Sequence, residues 1–552
     1  MKAYAAIVDA LVAEGVTHVF GLMGDGNMLL MAEAARRPEL GVTNVRHEGA
    51  ALTMAVGYAV AEGSRGVGVS TVTCGPGLTQ LGTALVDAVR RRTPSVVLAG
   101  DLASTDTHIN QYFVQRPFVE STGAQYIPLT SAGDVAEVVA SAFFRARTLG
   151  TTVVVGLPMH LQDEEYPWDW AYRPSTDALP DPASTPVLQP DPADIAALVE
   201  LLQTAERPVL VAGAGAVAAG VADRLVQLAA RTGALLATTL RAKGLFAGSP
   251  YHAGIAGAFS TGTARTLFAQ ADLAVGIGAS LNYFTTEGGY LFPAAQVASI
   301  DAGDPRLRTE LSLDLLVRGD AGLAVDAVLR GLTGPANTGF HTAEVADQLA
   351  HDTPVELRQP AEGLHPVDAV RELDQAMDED AAFVVGVGHF WSFPIMYLSG
   401  RGPQSYHVTY DFGAIGQGLA TAMGMATARA PRPTVLVEGD GSLLMHIQEL
   451  ETLRRSPTPL LVIVMNDGDY GAEVHKLRAK GLDTDGARFG SPDFAAIAGA
   501  FGVRGRLVAA PGELTDAVKE FLHDPRPTVV DARIDGSVVS APYLRSVFGR
   551  DE

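Results

Sequence analysis

The sequence predicts an α/β protein of three doubly wound parallel-sheet domains, and three observations carry that prediction. At 552 residues the chain exceeds what one core can fill and allows about three units of ~150–200 residues. Short continuous apolar runs alternate with helix-period patterns from end to end, as strands buried on both faces of a parallel sheet do. Two stretches read as extended connectors, 173–192, rich in proline, and 334–366, rich in Gly, Pro, Thr, His and acids, since proline fixes φ and removes a backbone donor. The expected units are 1–172, 190–333 and 365–545.

In chain order, Ile7, Leu11 and Val12 share one face of a helix. Arg46-His47-Glu48-Gly49 opens a run of small residues, Ala50, Ala51, Met54, Ala55, Gly57 and Ala59, suited to a closely packed helix. Ser95–Gly100 and Thr152–Gly156 read as buried strands of the first unit. Val209–Gly213 and Leu273–Gly278 do so in the second, and Phe383–Gly386, Thr434–Val437 and Leu460–Val464 in the third.

Bulk properties exclude several classes. Lys and Arg number 40 against 62 Asp and Glu, a net charge of −22 that disfavours nucleic acid and anionic membrane as partners. No apolar run reaches the ~18 residues of a membrane span. Asp9 comes too early for a secretory signal. Cys74 is the only cysteine, which rules out an intrachain disulfide and fits a reducing, cytoplasmic location.

The richest chemistry lies in the third unit. Thr434-Val435-Leu436-Val437 runs directly into Glu438-Gly439-Asp440-Gly441-Ser442, a strand end, then glycines, then a helix start near Ser442. Backbone amides can there approach phosphate oxygens, and the Asp440 carboxylate can hold a hard cation. The 24 residues between Gly441 and Asn466 fit one helix, with Leu443, Ile447, Leu450 and Leu453 on one side, and one strand. The second loop, Asn466-Asp467-Gly468-Asp469, therefore returns to the same sheet edge. Asp467 and the main-chain carbonyl of Asp469 are the further candidate ligands for Mg²⁺, which wants six oxygens. An ordinary turn would explain Gly-Asp-Gly by itself; the spacing to a second buried strand is what turns it into a site.

The Arg46–Ala51 segment, the Glu438–Ser442 segment and Asn466-Asp467, in this order and this far apart, resemble the thiamine-diphosphate enzymes in their acetolactate synthase and pyruvate (2-oxo acid) decarboxylase branch. The resemblance runs over nearly the whole chain. It implies a pyrimidine-binding first domain, a central Rossmann-like domain and a diphosphate-binding third domain. It also implies thiamine diphosphate and Mg²⁺, and a homodimer or homotetramer with active sites between subunits. Glu48 is then the acid that hydrogen-bonds the aminopyrimidine, so that the cofactor's own amino group can take the thiazolium proton. A solvated helix-start acid is the plainer alternative. Phe412-Gly413-Ala414-Ile415-Gly416 matches the segment that folds the cofactor, with Ile415 as apolar wedge and the Gly413 carbonyl receiving the amino group. Gly388 and His389, with Gly439, Gly441, Ser442, Tyr470 and Gly471, are expected around the diphosphate. Cys74-Gly75-Pro76-Gly77 resembles the first-domain loop beside the cofactor of the partner subunit, which assigns Gly75 and Pro76 to the cofactor and leaves Cys74 as packing. The family's typical pair at 466–467 is Asn-Asn; Asn466-Asp467 keeps an oxygen ligand and adds a charge.

The reaction is less directly legible. Thr239–Phe246, Ala271–Ala279 and Ser299-Ile300-Asp301 follow the acetolactate synthases, but the pocket departs from them. Gly24-Asp25 stands in place of Gly-Gly, Asn110-Gln111-Tyr112 in place of Phe-Gln-Glu, and Glu473-Val474-His475-Lys476-Leu477 in place of a Trp-containing segment. Asp25, His108 and Glu473 instead resemble the acid–base residues of pyruvate-type decarboxylases, with Gln111 retained as a further pocket residue. As residue types alone, Glu473 and His108 fit surface positions equally well. The expected function is thiamine-diphosphate- and Mg²⁺-dependent decarboxylation of a 2-oxo acid, the enamine being released as aldehyde or joined to a second carbonyl. The alternatives are an acetolactate synthase proper, a flavin-dependent enzyme similar to pyruvate oxidase, and a noncatalytic relative, against which Glu48 argues. Gly213-Ala214-Gly215 with Gly220 is a weak dinucleotide fingerprint. The signature of flavin-binding relatives is missing at Ser280-Leu281-Asn282-Tyr283, so tightly bound FAD is not expected.

Overall fold

A computed structural model describes residues 1–63, 66–179, 187–303, 311–352 and 363–549. Its strands form three six-stranded sheets. The first contains β1 (His18–Gly21), β2 (Gly41–Asn44), β3 (Gly68–Val72), β4 (Ser95–Asp101), β5 (Gln125–Pro128) and β6 (Thr152–Pro158). The second contains β7 (Pro208–Ala212), β8 (Leu235–Thr238), β9 (His252–Ile255), β10 (Leu273–Ile277), β11 (Gln296–Asp301) and β12 (Leu315–Arg318). The third contains β13 (Ala382–Val385), β14 (Tyr406–Val408), β15 (Thr434–Gly439), β16 (Leu460–Asn466), β17 (Arg504–Val508) and β18 (Thr528–Arg533). Every ladder between them is parallel. The apolar runs are buried along their length, as in β7 and β16, because helices cover both faces. The short strands β2, β5, β9 and β14 carry no such run, and only their place in the sheet reveals them.

The first sheet has the order β2-β1-β3-β4-β6-β5, and the third, β14-β13-β15-β16-β18-β17, repeats it strand for strand. The central sheet, β12-β11-β10-β7-β8-β9, is the dinucleotide-fold order read from the other edge. In the first and third sheets the order reverses between the first and third strands of each, so the loops leaving β1 and β3, and those leaving β13 and β15, flank a crevice.

Two details differ from the sequence expectation. The stretch 334–366 is not all connector. Phe340 is buried, and the helix Ala343–Ala350, capped by Thr342, packs Val345 and Leu349 against the central core. Residues 353–362 lie outside the described residues. In 173–192, the Ser175 amide donates to the buried Glu14 at 2.7 Å, which ties this end to the first domain. Pro180, Pro182 and Pro186 lie outside the described residues, and a helix resumes at Pro192 with Asp191 as its cap.

The domains interlock. Helix Glu48–Glu62 crosses helix Gln417–Arg429 at a small-residue contact. A Cβ on Gly57 would lie 2.2 Å from the Thr421 carbonyl oxygen, and one on Gly424 would lie 1.9 Å from that of Met54. Only glycine permits that approach. The buried Lys243 of the central domain donates to the Ile395 carbonyl of the third at 2.6 Å. Phe259 meets Trp391 edge-on at 5.6 Å. No helix among the described residues is long and apolar enough to cross a membrane.

Candidate active site

The crevice at the β13/β15 reversal is a cleft of about 350 Å³. The loop after β13 contributes Val387 to Trp391, the loop after β15 contributes Gly439 to Ser442, and the loop after β16 contributes Asp467, Asp469, Tyr470 and Gly471. Gly413 and Ile415 close one side; Glu473, Lys476 and Tyr543 close another.

Asp440 opens the helix Asp440–Leu444, two residues earlier than the sequence suggested. The single helix expected after it is two, Asp440–Leu444 and Glu449–Arg455. The break falls where His446 turns inward and its Nδ1 bonds the Gly416 carbonyl at 2.7 Å. One oxygen of Asp440 accepts the Gly441 amide and the other the Gly468 amide, both at 2.7 Å, so this carboxylate staples the two loops together. Asp467 accepts the Asp469 amide at 3.2 Å. Burial pushes both carboxyls up from their ordinary range, and the Asp440 charge pushes Asp467 further. Neither is paired with a basic side chain among the described residues. The Asp469 side chain instead lies 4.0 Å from Arg488. Among the described residues no three His, Cys, Asp or Glu side chains gather as a metal cluster. The chemistry here is two buried, uncompensated carboxylates among main-chain oxygens, which suits a hard cation that shares its ligands with a phosphate.

The loop bearing Ile415 is held at both ends. The Phe412 amide donates to Asp87 at 3.2 Å, and Arg91 pairs with Asp411 at 3.3 Å, both from the first domain. The Gly416 amide donates to Ser442 at 2.8 Å. Ile415 is half-buried and faces the cleft. His389 accepts the Ser540 amide on Nε2 at 3.0 Å, so its proton sits on Nδ1. Burial, and then the neighbouring His475 ring 4.3 Å away, hold its pKa well below the ordinary value, and the ring is neutral.

The remaining candidates lie on the first domain, at the equivalent reversal between β1 and β3. The Gly26 amide donates to Thr73 at 3.0 Å, and the Cys74 thiol to Gln111 at 3.4 Å, which gathers the Asp25 loop, Cys74-Gly75-Pro76 and Gln111. Cys74 is buried, as expected of packing. His108 is exposed on the turns that follow β4. Glu48 begins its helix half-buried, with His47 capping. None of Asp25, Glu48, Gly75, Pro76, His108 or Gln111 lines the cleft of its own chain; Glu473 does. Phe390 and Trp391 also line it, whereas Phe393 is core. Tyr543 and Lys476 had no role assigned from sequence. Lys476 was visible in the departure at 473–477, and Tyr543 reaches the cleft from a helix far along the chain.

The central glycines have a packing reason. A Cβ on Gly213 would lie 2.3 Å from the Gly278 carbonyl oxygen, and one on Gly215 would lie 2.7 Å from the Gly278 Cα. The two loops at that reversal close on each other.

Three family models match in order: the thiamine pyrophosphate enzyme N-terminal TPP binding domain at residues 1–122, the central domain at 195–328, and the C-terminal TPP binding domain at 386–532. Similar proteins include the acetolactate synthase large subunit of Parasynechococcus marenigrum, 30% identical over 96% of this chain and 87% of its own. Acetolactate synthase 1, chloroplastic, of Zea mays is 28% identical over 95% and 84%, and its namesake in Oryza sativa subsp. japonica 29% over 95% and 83%. With the strand orders, the paired carboxylates and these full-length likenesses together, the chain belongs to the thiamine-diphosphate enzyme family, in its acetolactate synthase branch.

Proposed function

We propose that the protein uses thiamine diphosphate and Mg²⁺ to remove CO₂ from a 2-oxo acid and transfer the acyl unit to a second carbonyl, in the manner of an acetolactate synthase. The pair of buried carboxylates Asp440 and Asp467, in a chain similar to such synthases along its length, is the observation that carries the reading. Asp440, Asp467 and the Asp469 carbonyl hold the cation. Gly388, His389, Gly439, Gly441, Ser442, Tyr470 and Gly471 receive the diphosphate. Ile415 supports the folded cofactor and Gly413 accepts its amino group. When bound, thiamine diphosphate would supply the carbon nucleophile and the electron sink that loss of CO₂ needs. Its pyrimidine is held by Glu48 of the partner subunit, and Asp25, Gly75, Pro76, His108 and Gln111 belong to that second half. The active unit is thus at least a homodimer.

A second reading, release of the acyl unit as an aldehyde, is favoured by one observation: Glu473 reaches the cleft and can deliver a proton there. Tightly bound FAD is part of neither reading, because the signature of flavin-binding relatives is missing at Ser280-Leu281-Asn282-Tyr283. The test is reconstitution of metal-stripped protein with each cofactor alone and together, on a panel of 2-oxo acids with and without aldehyde acceptors, scored for CO₂ and product identity. Activity without thiamine diphosphate would remove the proposal; aldehyde as the sole product would select the second reading.

A further inference from the structure

Helix Gly471–Ala479 grows out of the Asp467 loop and presents Glu473 and Lys476, one turn apart, to the cleft. Their charged groups are 3.4 Å apart, and the side chains are 57% and 53% exposed. Such a pair contributes little by itself. The ammonium has three donors and remains able to take a second anion. Lys476 is the only Lys or Arg among the residues lining the cleft.

Tyr543 lines the same cleft from helix Ala541–Phe548. That helix is pinned by the Ser540 amide on His389 and by Arg545, which donates to the Ala258 carbonyl at 2.6 Å. The Tyr543 ring lies 4.8 Å from His389 and 6.3 Å from the buried His475. Burial, with the Glu473 charge, pushes the phenol up to about 12, so it stays a hydrogen-bond donor through the neutral range. Val387, Phe390, Trp391, Ile415 and Met465 form the apolar part of the wall, and Asp440, Asp467 and Asp469 the acidic part.

A 2-oxo acid must lose its carboxylate. An ammonium paired with that group would stabilise the ground state, whereas an apolar wall does not. A cation on a half-exposed helix face is therefore poorly suited to the leaving carboxylate and well suited to a different one. We propose that Lys476, with the Tyr543 hydroxyl, recognises a second, distal carboxylate, so that the preferred substrate is a 2-oxo diacid. The inference rests on reading the cleft as a 2-oxo acid site.

The test compares 2-oxoglutarate with 2-oxopentanoate, which has the same chain length and no distal charge, on protein loaded with thiamine diphosphate and Mg²⁺. We expect kcat/KM to be about three- to fivefold higher for the diacid. Lys476→Met, which keeps the length and removes the charge, should bring the ratio towards one through a rise in KM for the diacid. Tyr543→Phe should lower it by a smaller factor. Calorimetric binding of glutarate, which has both carboxylates and no ketone, should weaken in Lys476→Met. A wild-type ratio of one or less, or a Lys476→Met variant that lowers both substrates alike, overturns the proposal and leaves the 2-oxo acid reading standing. Turnover of neither, nor of any 2-oxo acid in the panel, removes both.

Discussion

Asp440 and Asp467 are carboxyls placed where water solvates them poorly: burial raises the pKa of both, the Asp440 charge raises that of Asp467 further, and the Asp469 charge raises that of Asp440. A divalent cation held by the ionised pair would expel protons, so its binding should tighten as pH rises. We expect Mg²⁺-dependent thiamine-diphosphate affinity, followed by intrinsic fluorescence, to strengthen from slightly acid to slightly alkaline pH. Asp440→Ala should lose most of it, and undiminished affinity in that variant would dismiss the pair as the metal site. In the proposed site Glu48 acts at the other end of the cofactor. Glu48→Gln should bind cofactor normally but slow hydrogen exchange at its C2 position by at least ~10²-fold, the scale of acid–base assistance; exchange at the wild-type rate would leave Glu48 with only its helix-start role. On the second reading Glu473 decides the fate of the acyl unit. If it delivers the proton, Glu473→Gln should cut aldehyde release by ~10²–10⁴-fold while sparing transfer to an added carbonyl. Equal loss of both products would show that the residue does not govern the branch.

At the scale of elements, the helix pair Glu48–Glu62 and Gln417–Arg429 couples the two cofactor-binding domains through glycine contacts. Gly424→Ala drives a methyl into the Met54 carbonyl, so the helices must part. We expect a cost of about 1–3 kcal/mol, seen as a lower midpoint of thermal unfolding; an unmoved midpoint would mean that the crossing yields freely. The same elements show what a sequence makes legible. The metal loops could be read because each follows a continuous apolar strand, so that position in sequence fixes position at the sheet edge. The run of small residues after Glu48 announced close packing for a similarly local reason. Tyr543 could not be read, since it meets His389 and the cleft only once a distant helix has docked. The helix break at His446 was hidden as well, because a side-chain bond to Gly416 overrides an otherwise helical pattern.

At the scale of the molecule, the candidate residues fall into two halves on different domains, and one chain does not bring them together. Complementation follows from that division. Glu48→Gln and Asp440→Ala subunits, each inactive alone, should regain activity when mixed and reassembled, because a mixed dimer holds one site with both native residues. Failure to regain activity, in mixtures shown to contain mixed dimers, would place the whole site within a single chain.

The repeated strand order carries a symmetry with it. In both domains the helix after the second strand carries the crossing glycine, and the contacts are reciprocal. Gly57 meets Thr421, three residues before Gly424, and Gly424 meets Met54, three residues before Gly57. That reciprocity is the signature of an isologous interface, the same patch used on both partners. The two domains face one another as the two halves of an isologous dimer do. One chain then already embodies a pseudo-two-fold pair, with Glu48 on one half and Asp440 on the other.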